Sequence, residues 1–147
     1  MNFYKIFEKN ILNKNLNTYY LYNKDFVNGT YNIKIPGIYK IMEDINFEPN
    51  RENDFMPLNN NDNAYILGFF AAITVECDNV IIDLNNKTIR QTKTYSLAQR
   101  FFSIIELSNS PFSKGMGPAN FGENVVEIKN LIIKNGVLGL SSHYSIH

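Results

Sequence analysis

The sequence predicts an all-β chain of short, repeating strands, and three observations carry that prediction. Residues 71–89, AAITVECDNVIIDLNNKTI, read as two strands joined by a polar corner and closed by an asparagine turn. A similar phrase, ENVVEIKNLIIKNGVLGL, returns at residues 123–140. The chain of 147 residues also holds 18 isoleucines and 23 asparagines. The first residue type favours strands and the second favours turns. An AT-rich genome would enrich both residues as well, since their codons are AT-rich, and that explanation carries equal weight.

The central phrase shows the period of a strand. Ile73, Val75 and Cys77 alternate with Thr74 and Glu76, which sets them on one face of an extended chain. Asp78-Asn79 interrupts the run with side chains that bond nearby backbone and tolerate left-handed conformations. Val80, Ile82 and Leu84 then form a second apolar face, with Ile81 and Asp83 opposite, before Asn85-Asn86 turns the chain again. Setting 130–134 on 79–83 matches apolar residue to apolar residue at three consecutive positions, 51 residues on. Repeats of roughly 20–50 residues mark stacked architectures, so this interval reads as two units of about 25 or as one long unit.

Composition fits one soluble domain, with 44% hydrophobic and 19% charged residues and a length sufficient for a core. Fourteen basic residues balance fourteen acidic ones. No basic stripe is visible, so phosphate-neutralising contacts to nucleic acid are not expected. No apolar run approaches the ~18–20 residues that span a bilayer. The opening MNFYKIFEKN lacks the apolar region of a secretory signal. The single cysteine, Cys77, cannot form an intrachain disulfide and is expected as a buried, inert thiol.

In chain order, Phe3, Ile6, Phe7 and Ile11 have helical spacing, and an amphipathic helix over 2–13 is expected to cap an end of the strand stack. Residues 16–28 are rich in Tyr and Asn and resist assignment. Tyr31, Ile33 and Ile35 alternate up to Pro36-Gly37, and extended structure resumes at Ile38–Ile41 and through Ile45 and Phe47. Residues 50–63 read as a mobile, projecting loop. Its carboxylates Glu52, Asp54 and Asp62 lack the spacing of a calcium loop. Residues 91–100 carry one helical turn, and 101–107 (FFSIIEL) read as a strand apolar on both faces. Residues 108–122 are a Gly/Pro/Ser surface loop. A strand rather than a helix follows its glycines, Pro118 removes a backbone donor, and the Gly-Lys-Ser/Thr ending of a phosphate loop is missing.

With these phrases assembled, the chain resembles right-handed parallel β-helix proteins of the pectate-lyase-like superfamily. GTYNIKIPGIYKIMEDINFEPN is similar to their first-coil phrase, and CDNVIIDLNNKTI to their recurrent coil phrase with an asparagine at the corner. The likeness spans about residues 30–140, interrupted by two loops. The Asn/Ile/Lys/Tyr-rich style is also similar to β-helix proteins of large, AT-rich DNA viruses. The resemblance implies a right-handed parallel β-helix of three or four coils over 29–147, after an N-terminal helix and cap segment over 1–28. The chain breaks off after SSHYSIH in mid-coil. Either another subunit, as in a homo-oligomer such as a trimer, closes the last coil, or the chain continues; the second is slightly favoured.

Enzymes of that superfamily cleave polysaccharides with calcium-binding acids and a base, or with a carboxylate pair. No local cluster here matches either, so no catalytic, cofactor or metal residues are assigned. Asp83 and Lys134 occupy equivalent repeat positions, and Glu76 and Glu127 are outward by alternation. These four are the candidate saccharide-facing patch, against the ordinary reading of a solvated face. His143 and His147 lack a third ligand, and Ser141-Ser142-His143 lacks a nucleophile elbow. The sequons at Asn28 and Asn86 read as accidental. The expected function is a non-catalytic structural or glycan-binding module, with a virion surface as one setting. The alternative is the N-terminal part of a polysaccharide lyase or glycoside hydrolase.

Overall fold

The computed structural model describes residues 15–59, 68–100, 102–108, 110, 113–116 and 127–139. The expected helix over 2–13, residues 60–63 of the first loop, most of the 108–122 loop, and Ser141, Ser142, His143 and His147 lie outside them.

Among the described residues, ten strands make three parallel sheets. They are β1 (Thr18–Leu21), β2 (Tyr31–Ile33), β3 (Gly37–Ile41), β4 (Ile45–Phe47), β5 (Ala71–Val75), β6 (Val80–Asp83), β7 (Thr88–Gln91), β8 (Ser103–Glu106), β9 (Leu131–Lys134) and β10 (Val137–Leu138). One sheet has the order β1-β3-β6-β9, and the others are β2-β5-β8 and β4-β7-β10. Every pairing is parallel. From β2 onward the chain visits the β2 sheet, the four-stranded sheet and the β4 sheet in that order, three times. Among the described residues helix is confined to two short 3-10 turns and α1 (Lys93–Leu97). The hydroxyl of Thr92 caps α1 by accepting from the Tyr95 N–H at 3.2 Å, which satisfies one donor that the first turn leaves open.

The echo in the sequence is one full circuit. Val80 pairs directly with Leu131, and Ile82 with Ile133, which excludes two units of about 25 within that interval. Circuits are unequal in length: on the same sheet Thr18 pairs with Ile38, and Ile38 with Ile81. Asparagine explains why the corner repeats. Asn79 and Asn130 both sit at left-handed φ, 62° and 61°, a conformation Asn tolerates better than most L-residues. The Asn130 amide donates to the Asn79 side-chain oxygen at 2.9 Å, and the Lys129 N–H donates to the Asp78 carboxylate at 2.8 Å.

The core lies between the sheets. Ile33, Tyr39, Ile41, Ile45, Phe47, Ile73, Val75, Val80, Ile82, Leu84 and Ile89 are all buried, each side chain of this kind contributing about 1.5–3 kcal/mol. Four aromatic rings fill the turn between circuits. Tyr95 stands edge-on to Phe47 at 5.4 Å, to Phe55 at 5.3 Å and to Phe102 at 5.6 Å. Gly29, at φ 141°, has the Phe69 ring packed where a Cβ would stand.

Several expectations need correction. Residues 18–21, unassigned from sequence, form β1, and the 3-10 turn that follows buries Phe26. Ile35 is exposed rather than inward, because β2 ends at Ile33 and the chain is already turning toward Pro36. Ile81 faces outward, as the alternation requires, yet is 1% exposed, in a second cluster with Ile132, Leu16 and Ile38. In the described part of the 50–63 loop, Arg51–Asn53 make an exposed 3-10 turn, but Phe55 is turned back and buried. Cys77 is half-buried, beyond the end of β5.

Candidate functional site

The outer face of the four-stranded sheet carries two register lines. One line is apolar: Ile38, Ile81 and Ile132 are mutual neighbours across β3, β6 and β9. The next outward line is Tyr20, Lys40, Asp83 and Lys134, neighbours across β1, β3, β6 and β9. Parity sets both lines. Tyr39 and Ile41 point into the core, so Ile38 and Lys40 point away from it. Strand spacing puts about 4.8 Å between successive positions of each line.

Tyr20 is 56% exposed at one end of the second line, while Lys40, Asp83 and Lys134 are half-buried. Asp83 has local work as well. Its carboxylate accepts from the Asn85 N–H at 2.9 Å and from the Asn135 amide at 3.3 Å. Those bonds hold the exit corner, where Asn85, Asn86 and Asn135 all take left-handed φ.

The four residues singled out from sequence therefore divide. Asp83 and Lys134 are brought together as register partners. Glu76 and Glu127 precede the entry corner, on the far side of β6 and β9 from that pair. The Glu76 carboxylate lies 3.0 Å from the Thr74 hydroxyl, which is also 2.7 Å from the Asn32 side-chain oxygen. Glu127 is exposed and pairs with Lys129 at 3.8 Å. Tyr20 and Lys40 were missed. Their only signal was an outward parity in two strands whose distance along the chain differs from the 51-residue echo.

Among the described residues no group of three or more His, Cys, Asp or Glu could hold a metal ion. Burial, followed by the charges of Asp78 and Glu76, pushes the Cys77 thiol up from its usual range. A thiol kept protonated is a poor nucleophile. No helix among the described residues is long and apolar enough to cross a membrane. No family model matches the chain, and neither the curated proteins nor the solved structures give a match.

Proposed function

We propose that the chain is a right-handed parallel β-helix module that binds carbohydrate without catalysing a reaction on it. Support for the architecture is the thrice-repeated visit to three parallel sheets. Handedness follows from the rule that parallel crossovers are right-handed in about 98% of cases.

The observation that carries the binding reading is the single outward line Tyr20–Lys40–Asp83–Lys134. An exposed tyrosine ring offers an apolar face to a sugar ring and a hydroxyl at its rim. Lysine ammonium groups donate charge-assisted hydrogen bonds to hydroxyl, carboxylate or sulfate oxygens beside it. Non-catalysis is the companion reading because the acids are split. Glu76 and Asp83 lie on opposite sides of the entry corner, and the Asp83 carboxylate is committed to holding the exit corner.

The test is calorimetric titration with neutral and acidic oligosaccharides, together with an assay for new reducing ends and unsaturated products. Binding that falls roughly tenfold in Tyr20→Ala and in Lys40→Gln supports the reading, since tenfold corresponds to about 1.4 kcal/mol, the scale of one charge-assisted bond. Absence of binding across the panel, or product formation by the wild-type chain, overturns it.

A further inference from the structure

We infer that residues 50–56 form a strained latch, held shut by Arg100, that opens independently of the parallel sheets. The starting point is a backbone outlier. Asn50, Asp54 and Phe55 all sit at left-handed φ, 50°, 53° and 60°. Asn and Asp tolerate that region, whereas a bulky side chain there is a genuine outlier. Such strain persists only where the surroundings impose it.

The surroundings are three attachments. At the hinge, Asn50 donates its N–H to the Val27 carbonyl at 3.1 Å and its side-chain amide to the Asn28 carbonyl at 3.1 Å. At the tip, the Phe55 ring is 8% exposed and meets Tyr95 edge-on. Across the top, Arg100 donates to the Asp54 carbonyl at 3.0 Å and reaches the Asp54 carboxylate at 3.1 Å. The same guanidinium lies 3.6 Å from the Met56 sulfur. Arg100 follows α1 and is 46 residues from Asp54, so its contacts tie one circuit to the next.

The other hydrogen bonds of the segment are internal to it, and releasing Phe55 breaks them. The Phe55 N–H donates to the Asn50 carbonyl and the Met56 N–H to the Asn53 carbonyl, both at 3.0 Å. Asn53 adds amide bonds to the carbonyls of Met56 and Pro57. Turning Phe55 out therefore breaks few bonds to the sheets and relieves the φ strain. Opening costs the Arg100 contacts, these internal bonds and the seat of the Phe55 ring in the core cluster beside Tyr95. Regions with few such ties open sub-globally, below the free energy of global unfolding.

The experiment is native-state hydrogen exchange on the full chain, combined with timed trypsin cleavage after Arg51, whose side chain is 63% exposed. The amides of Phe55 and Met56 should exchange about a hundredfold or more faster than those of Ile73 and Ile82, through an opening insensitive to denaturant. Arg100→Met should raise that exchange and the cleavage after Arg51 roughly tenfold, leaving Ile73 and Ile82 unchanged. Asp54→Asn, which keeps the carbonyl acceptor and loses the charge, should raise both by a smaller factor. If Arg100→Met does not fold, Asp54→Asn decides the matter by the same two readouts. Exchange of Phe55 and Met56 at the pace and denaturant dependence of the core strands would overturn the latch. So would either variant accelerating core and latch amides equally.

Discussion

Two connections in this molecule solve the same problem in different ways. The corner at 77–79 and its successor at 128–130 turn the chain between sheets with an asparagine at left-handed φ, and the two asparagines bond to each other. The passage from β4 to β5 also uses left-handed residues at 50, 54 and 55. It is held instead by unique contacts: Phe55 on Tyr95, Arg100 on Asp54, Asn50 on Asn28. A repeated corner is stabilised by its copy one circuit on, whereas a unique crossover depends on side chains far away in sequence. The first fails gently when one residue changes. The second is concentrated on a few rings.

The largest expected effect follows from that concentration. Tyr95→Ala removes a fully buried ring that touches three other aromatics and should cost about 3–5 kcal/mol, read as a lowered midpoint in urea unfolding. A loss below about 1 kcal/mol would mean that the crossover is no more concentrated than the corners. Next comes Asn79→Ala, which forces a Cβ-bearing residue without the compensating amide into left-handed φ and removes the bond from Asn130. The expected cost is about 1–2 kcal/mol. Asn79→Gly should recover part of it, because glycine accepts that φ without steric cost. If Asn79→Ala equals Tyr95→Ala in cost, the contrast between shared and unique connections fails.

Alkaline pH separates the two kinds of connection as well. Burial pushes the Tyr95 phenol well above the usual tyrosine range, with the nearby Arg100 charge acting in the opposite direction. A folded-state pKa raised above the unfolded value near 10 means that the neutral phenol is favoured by the fold. Its contribution is fully present below about pH 10 and is lost as pH climbs toward the folded value, by up to about 1.4 kcal/mol per pH unit. Tyr95→Phe loses the bond to the Phe69 carbonyl at 2.7 Å, costing about 1 kcal/mol at neutral pH. It should also remove the Tyr95 share of the fall in stability between pH 10 and 11. Tyr39, likewise pushed up by burial, contributes to that fall as well, while Asn79→Ala leaves the slope as it is.

What the sequence disclosed follows the same division. The strands at 71–75, 80–83 and 131–134 were legible because period two is visible over several residues and asparagine marks each corner. The helical turn at Lys93–Leu97 was legible too. β1 was not, since Tyr19 and Leu21 give only two inward positions in a stretch crowded with tyrosine. Alternation ran too far at Ile35, where the chain bends before Pro36. Nothing in NRENDFMPL foretold that Phe55 would be buried, because its partners Tyr95 and Arg100 are some forty residues away. The candidate site divides likewise. Asp83 and Lys134 came from the 51-residue echo, whereas Tyr20 and Lys40 belong to circuits of other lengths.

The smallest expected effect tests whether the outer line is a binding surface or part of the frame. Lys40 is half-buried, and no hydrogen bond or ion pair to its ammonium group supports either neighbouring strand among the described contacts. By register Lys40 stands next to the apolar line of Ile38 and Ile81, a position from which a long side chain can cover apolar surface while its charge meets water. Lys40→Gln keeps much of that stem, so unfolding in urea should shift by no more than about 0.5 kcal/mol. Asn79→Ala costs more because it acts on the backbone of a corner; Lys40→Gln acts only on what the sheet presents outward. A destabilisation above about 1 kcal/mol would make Lys40 a structural residue, and loss of saccharide binding in that variant would no longer speak for a site. Unchanged stability with weakened binding would assign the outer line to recognition and leave the fold to the ladders beneath it.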